Sequence, residues 1–355
     1  MGHYPRGGRA LRGPFSRFAT GDAVAWFEAH GLELVEEPDG RLFPRANRSQ
    51  AVVACLRRAA TAAGVRLHTG VSLLRATPSA GDGFQLELRR GSARLTMGAG
   101  RLVLATGSHP SGRQLASGLG HGLVPPVPSL FTLALTGDPL LALAGLAVDP
   151  AELELKLPDG QRFRERAPML ITHWGLSGPA VLRLTAFAAR DLRTCGYRGE
   201  LRIHWAPGLG PSELEHRLLA CREHQARRQL GSWRPWPELS RRLWSHLLQR
   251  CSIPAEQRWA DLSRLQYLAL LEALRSSHHQ VSGRGPFGEE FVTAGGVPLG
   301  EVNLATMESR LQPGLFLVGE LLDVDGVTGG FNFQHCWTSG WLAGKACLEP
   351  PSAKD

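Results

Sequence analysis

The chain has 355 residues, 43% of them apolar, and a formal net charge of +8; that length supports a large core and two or three domains. The charge is almost all arginine, with lysine only at positions 156, 345 and 354, and it is dispersed except at Arg6, Arg9, Arg12 and Arg17. That cluster reads as a solvated basic edge, so nucleic acid is not the expected partner. The six cysteines lack CxxC or His/Cys ligand spacing, and His278-His279 has no further ligands nearby, so no metal is expected. Free thiols and the lack of an apolar leader point to the cytoplasm. Leu130–Val148, the most apolar run, is broken by Gly137-Asp138-Pro139, which excludes a membrane helix there.

In chain order, Thr20–His30 reads as a helix capped by Thr20 or Asp22, and Leu32–Glu36 as a short strand before an Asp39-Gly40 turn. Ser49–Ala63 is amphipathic, with Val52, Val53, Leu56, Ala59 and Ala60 expected inward and Ser49 as cap; Val65–Thr69 follows as a strand. Phe84–Arg89 and Ala93–Met97 form a hairpin about Gly91, and Arg101–Ala105 is a buried strand. After Pro125, Pro126 and Pro128, short strands are expected at Leu130–Leu135, Ala144–Val148, Glu152–Leu157, Arg162–Glu165, Met169–Thr172 and Glu200–His204. Together they predict a small antiparallel sheet or barrel. Ser212–Leu230, Pro237–Cys251 and part of Trp259–Leu274 read as helices, with Trp233, Trp236, Trp244 and Trp259 expected as core. Gln280–Val292 returns the chain to its first domain.

Gly314–Gly340 carries the most chemistry. A strand at Leu315–Val318 runs through Gly319 and Glu320 into a turn with Gly326, Gly329 and Gly330, then a helix. Such a turn presents backbone amides and a positive helix end to an anion, and its glycines allow close approach. Glu320 and Asp323 precede the turn, where a carboxylate can bond sugar or ribityl hydroxyls. The bland alternative is a strand–turn–helix whose glycines serve the turn alone.

The residues Gly319, Glu320, Asp323, Val324, Gly326, Gly329, Gly330, Phe331, Asn332, Phe333 and Gln334 resemble the C-terminal signature of the BaiN-like family of bacterial NAD(P)/FAD-dependent oxidoreductases. Leu102–Gly107 (LVLATG), Thr172–Leu182 (THWGLSGPAVL) and Thr293–Val297 (TAGGV) are similar to three further family segments, in the same order. The resemblance implies an α/β fold: a Rossmann-like, three-layer FAD-binding domain from residues 1–124 and 290–355. It also implies an inserted antiparallel β-barrel at 125–210 and a helical domain at 211–289. FAD is the implied cofactor, NAD(P)H a possible electron donor and a small organic molecule the substrate. Val71, Thr106, Gly107, Gly319, Glu320, Asp323, Gly329, Gly330, Phe331 and Asn332 are the implied flavin-binding residues, Val71 holding the adenine edge and the amides of Phe331 and Asn332 facing the pyrimidine edge. His173 is the candidate acid/base, against the plain reading of a structural turn histidine. His335 and Cys336 are expected near the flavin, with packing their main role.

Flavoproteins of this kind open with a strand, GxGxxG, a helix and an acidic residue. MGHYPRGGRALRGPFSRF has no such fingerprint, so the chain is expected to start just after that unit. The rival readings are a non-catalytic remnant of a flavoprotein and an FAD-dependent RNA-modifying protein.

Overall fold

The computed structural model describes residues 2–79, 83–286 and 292–348. The chain divides into two units, one of residues 1–127 and 292–355, the other of residues 128–291. The expected return segment 280–292 falls partly on residues 287–291, outside the described residues.

In the first unit, helix Thr20–Ala29 starts where the Asp22 carboxylate accepts the Ala19 amide at 2.7 Å. Asp22 is thus the group that satisfies the helix start, not Thr20. Phe27 on that helix joins Leu32 and Cys55 in a small cluster, with Trp26 and Trp337 packed against it. Strand Leu34–Glu36 folds back on Leu42–Pro44 as an antiparallel pair. Helix Ser49–Ala62 forms as its periodicity demands, but Arg48 stands at the cap position and makes no side-chain bond. Cys55 is its only fully buried residue; Val53 and Leu56, expected inward, are 54% and 41% exposed. Residues 65–69, expected as a strand, form none, and Val65 and Leu67 are exposed. Alternation of apolar residues prepares a strand, but a strand also needs a neighbour to take its amides and carbonyls.

Strands Val71–Pro78, Phe84–Arg90 and Ala93–Ala99 make an antiparallel meander whose inner face carries Phe84 and Leu86. The central sheet has the order Val302–Asn303, Glu308–Ser309, Leu315–Leu317, Leu102–Leu104. Its last two strands run parallel, with Leu315 opposite Leu102 and Leu317 opposite Leu104. Leu315, Phe316 and Leu317 are fully buried, as expected for a strand covered on both faces. Leu102–Leu104 is one edge of that sheet, and Val103 is 42% exposed. Among the described residues, the expected Rossmann-like parallel sheet is represented by that strand pair and an isolated parallel bridge between Val297 and Leu322.

The second unit is built on one seven-stranded antiparallel sheet: Ser277–Val281, Gly199–His204, Ala147–Lys156, Arg162–Ile171, Gly175–Ser177, Leu133–Ala134, Gly283–Arg284. Two pairs of expected short strands are single ten-residue strands, Ala147–Lys156 and Arg162–Ile171, with a register shift between Ala167 and Met169. A bulge absorbs the irregularity that the sequence suggests as a break. Ala151, Leu153 and Leu155 face the core, while Glu154 on the other face pairs with Arg162 and Arg164. No strand pairing closes this sheet into the expected barrel among the described residues. Helices Pro179–Phe187, Pro211–His224, Arg241–Arg250 and Arg264–Arg275 contribute to the same core. Trp244 and Trp259 stack there at 6.0 Å and are 1% and 0% exposed, and Trp236 is buried with them. Those tryptophans are core, as their spacing suggested.

Candidate functional site

The parallel pair ends with the Val318 amide bonded to the Leu104 carbonyl at 3.2 Å. From there the chain passes through a tight turn, Gly319–Leu321. Gly319 has φ +64°, and a Cβ at that position would lie 3.1 Å from Cys336 Sγ. Its amide donates to Ser339 Oγ at 3.0 Å, and its carbonyl accepts from His335 Nε2 at 3.2 Å. Both partners belong to helix Phe331–Ala346, so the turn and the helix are one hydrogen-bonded piece. The TAGGV segment supports it from another side. A Cβ on Gly296 would stand 2.4 Å from the Leu321 carbonyl oxygen, and only a glycine lets Val297 bond that oxygen at 2.9 Å.

The glycine-rich loop after the turn is held from within and from the start of the chain. Asn332 Oδ1 accepts the Gly326 amide at 2.8 Å and its Nδ2 donates to the Gly326 carbonyl at 2.9 Å. Arg6 makes a two-pronged ion pair with Asp325, which is completely buried. Tyr4 Oη donates to the Phe331 carbonyl at 2.7 Å, and the His3 ring stacks on Phe331 at 4.3 Å. Burial pushes the Tyr4 hydroxyl pKa up, so it stays a neutral donor. Gly330, in the left-handed region at φ +86°, starts helix Phe331–Ala346 without a side-chain cap. The amides of Phe331, Asn332 and Phe333 find no acceptor among the described residues and remain available to an anion.

Glu320 is half-buried. Burial, and then the negative charge of Asp325, raises its carboxyl above the usual range. It stands against the other strand end, since a Cβ on Gly107 would lie 3.7 Å from Glu320 Oε2. Cys336 is pushed up to about 11 by burial and by Glu320, so it is a neutral thiol and no nucleophile. His335 is brought down to about 4 by burial; with Nε2 bonded to Gly319, its buried Nδ1 has no partner among the described residues.

Thr106, Gly107, Gly319 and Glu320 thus meet at the carboxyl ends of the parallel pair, and Asp323, Gly329, Gly330, Phe331 and Asn332 follow in the adjoining loop. Thr106 Oγ1 is buried beneath Gly112, whose Cβ would fall 1.7 Å from it, and has no hydrogen-bond partner among the described residues. Asn332 and Phe331 offer only their amides, because both side chains are engaged in holding the loop. Val71 starts the outer strand of the meander opposite Arg90, and no bond or ring contact joins it to the loop among the described residues. His173 belongs to the other unit, exposed between strands Arg162–Ile171 and Gly175–Ser177, with no hydrogen bond or ion pair among the described residues. Tyr4 and Ser339 went unread in the sequence, and Arg6, expected on a solvated basic edge, is instead largely buried against Asp325. Arg6 and Asp325 lie 319 positions apart, and no local pattern links them.

A family model described as the HI0933-like protein Rossmann domain matches residues 1–346. The chain belongs to that family. Among its curated relatives is a 3-dehydro-bile acid delta(4,6)-reductase of Clostridium scindens, 30% identical over 96% of this chain and 83% of the relative. A ribosomal RNA dihydrouridine synthase of Escherichia coli is 29% identical over 95% of this chain and 82% of its own length. A protein of the same name from Haemophilus influenzae is 29% identical over 66% of this chain and 55% of that relative. Among the described residues of the HI0933-like chain, no three His, Cys, Asp or Glu side chains are grouped to hold a metal. No helix there is long and apolar enough to cross a membrane.

Proposed function

We propose that this HI0933-like chain is an FAD-dependent oxidoreductase that acts on a small organic substrate, with NAD(P)H as electron donor. One observation carries the reading: Gly107, Glu320 and the unpartnered amides of Phe331–Phe333 lie at or beside the carboxyl ends of the parallel pair, where open α/β sheets bind nucleotide cofactors. Bound there, FAD would supply the hydride chemistry. The amides at the helix start would hold negative charge on the cofactor, and Glu320 would bond its polyol hydroxyls. The residues fit the group in kind: amides for the anionic parts, a carboxyl for the hydroxyls, glycines where a Cβ would intrude.

The relatives' names narrow the reaction. A delta(4,6)-reductase and a dihydrouridine synthase both denote reduction of a carbon–carbon double bond in a ring, so we assign this chain the same bond type. The two dihydrouridine synthase names favour a second reading, reduction of a uracil base in RNA.

The test is the visible spectrum of the chain after incubation with FAD and removal of free cofactor. The expected result is retained flavin that NADH or NADPH bleaches without oxygen, with retention weakened about tenfold, roughly one strong hydrogen bond, in Glu320→Ala. Reoxidation by a conjugated ring ketone or by uridine-containing RNA then separates the two substrates. A folded, colourless protein at saturating FAD would overturn the proposal.

A further inference from the structure

Residues 7–12, at the other side of the Arg6–Asp325 ion pair, have no part in the reading above. Gly7, Gly8, Arg9, Ala10 and Arg12 line an open pocket of about 550 Å³ together with Tyr4 and Pro5. No carboxylate is among its lining residues, whereas two guanidinium groups, Arg9 and Arg12, are. Both arginines are exposed, and neither side chain makes an ion pair or hydrogen bond among the described residues. Their neighbours differ: Arg6 is spent on Asp325, and Arg17 bonds the Ala305 carbonyl at 3.1 Å.

The backbone of the turn agrees with the side chains. Leu11 donates to the Gly7 carbonyl at 3.2 Å, which closes the turn, but the amides of Gly8, Arg9 and Ala10 find no protein acceptor among the described residues. The turn is also fixed in place. Gly7 has φ +76° and lies so close to Val324 that a Cβ would be 2.6 Å from its Cγ2, while Leu11 is 1% exposed. Two cations and successive unpaired amides on an anchored backbone are what an oxyanion needs, with little ordering left to do on binding.

We propose that the Gly7–Arg12 turn is a binding site for the phosphate or carboxylate group of a small-molecule ligand. Arg9 and Arg12 supply the charge, the amides of Gly8–Ala10 the directional bonds. The test of this site does not depend on the flavin reading, because its probe is a bare anion.

The experiment is calorimetric titration of the full chain with potassium pyrophosphate and, separately, with succinate. At least one of the two should bind saturably, and the Arg9→Gln/Arg12→Gln double variant should lose at least about tenfold in affinity, or 1.4 kcal/mol. Its melting midpoint should not move. The control is Arg89→Gln/Arg94→Gln, which removes two exposed arginines from the Phe84–Ala99 hairpin and should bind like the parent. Preference for pyrophosphate assigns a phosphorylated ligand, and equal binding a carboxylate as well. Competition by FAD names the dinucleotide as the source, and its failure names the substrate or donor. No saturable binding of either anion, full binding by the double variant, or an equal loss in the control would each overturn the site.

Discussion

The two units solve the same problem differently. Residues 128–286 place a broad antiparallel sheet and several helices on one core, where Leu153, Leu155, Leu201, Trp244 and Trp259 are almost wholly buried. The first unit has a four-stranded sheet of very short strands, Leu102–Leu104 at one edge, and it leaves Val53, Leu56, Val65, Leu67, Val103 and Phe333 exposed. Its site is tied by polar bonds: Tyr4, Arg6 and Asn332 hold the loop around Asp325, and His335 and Ser339 hold Gly319. One unit is held by packing; the other, at its site, by a polar network. Networks of that kind fix geometry well, but they depend on every member.

Substitutions can separate the two modes. Trp259→Ala should cost about 3–5 kcal/mol of the second unit's stability through lost burial and a cavity, and leave the first unit's denaturant transition in place. Arg6→Ala should do the converse, at about 3 kcal/mol, because Asp325 remains buried without its guanidinium. A single shared shift for both variants, followed by tryptophan fluorescence and hydrogen exchange, would break the comparison.

Acid sharpens it. His335 titrates at about 4 in the fold against 6.5 when unfolded, so below pH 6.5 the unfolded chain binds the extra proton. Stability contributed by the neutral ring is present above pH 6.5 and lost as pH falls towards 4, by on the order of 3 kcal/mol in all. Urea melts across that range should show the slope, and His335→Gln should flatten it for the first unit. Burial also lowers His204 and His246 in the second unit, which should weaken in the same direction.

The smallest effect is expected at the exposed edge. Val103→Lys should change the stability of the first unit by less than about 0.5 kcal/mol.

Much of this was legible locally. The helix at 49–62, the hairpin about Gly91 and the strand–turn–helix at 315–346 follow from periodicity, turn residues and glycines within short windows. The candidate site was legible where it is a backbone device: Gly107, Gly319, Glu320 and Gly330 were singled out, and they lie at two neighbouring strand ends or on the turn–helix path leading from one of them. It was not legible where it rests on distant partners, as with Arg6 and Asp325 or Tyr4 and Phe331. Val65–Thr69 shows the opposite failure. Its alternation is strand-like, yet pairing is a property of two segments, and the pattern of one cannot supply the other.

Leu102–Leu104 has one further consequence. With Leu102 and Leu104 bonded to the strand Leu315–Leu317, the pleat turns the amide and carbonyl of Val103 away from it. Among the described residues that amide and carbonyl have no partner, and such groups beside an exposed valine are a template to which an extended chain can add. The handling of this protein in solution is therefore written at one residue: its tendency to precipitate should rise with concentration, and a lysine at position 103 should act as a gatekeeper against it.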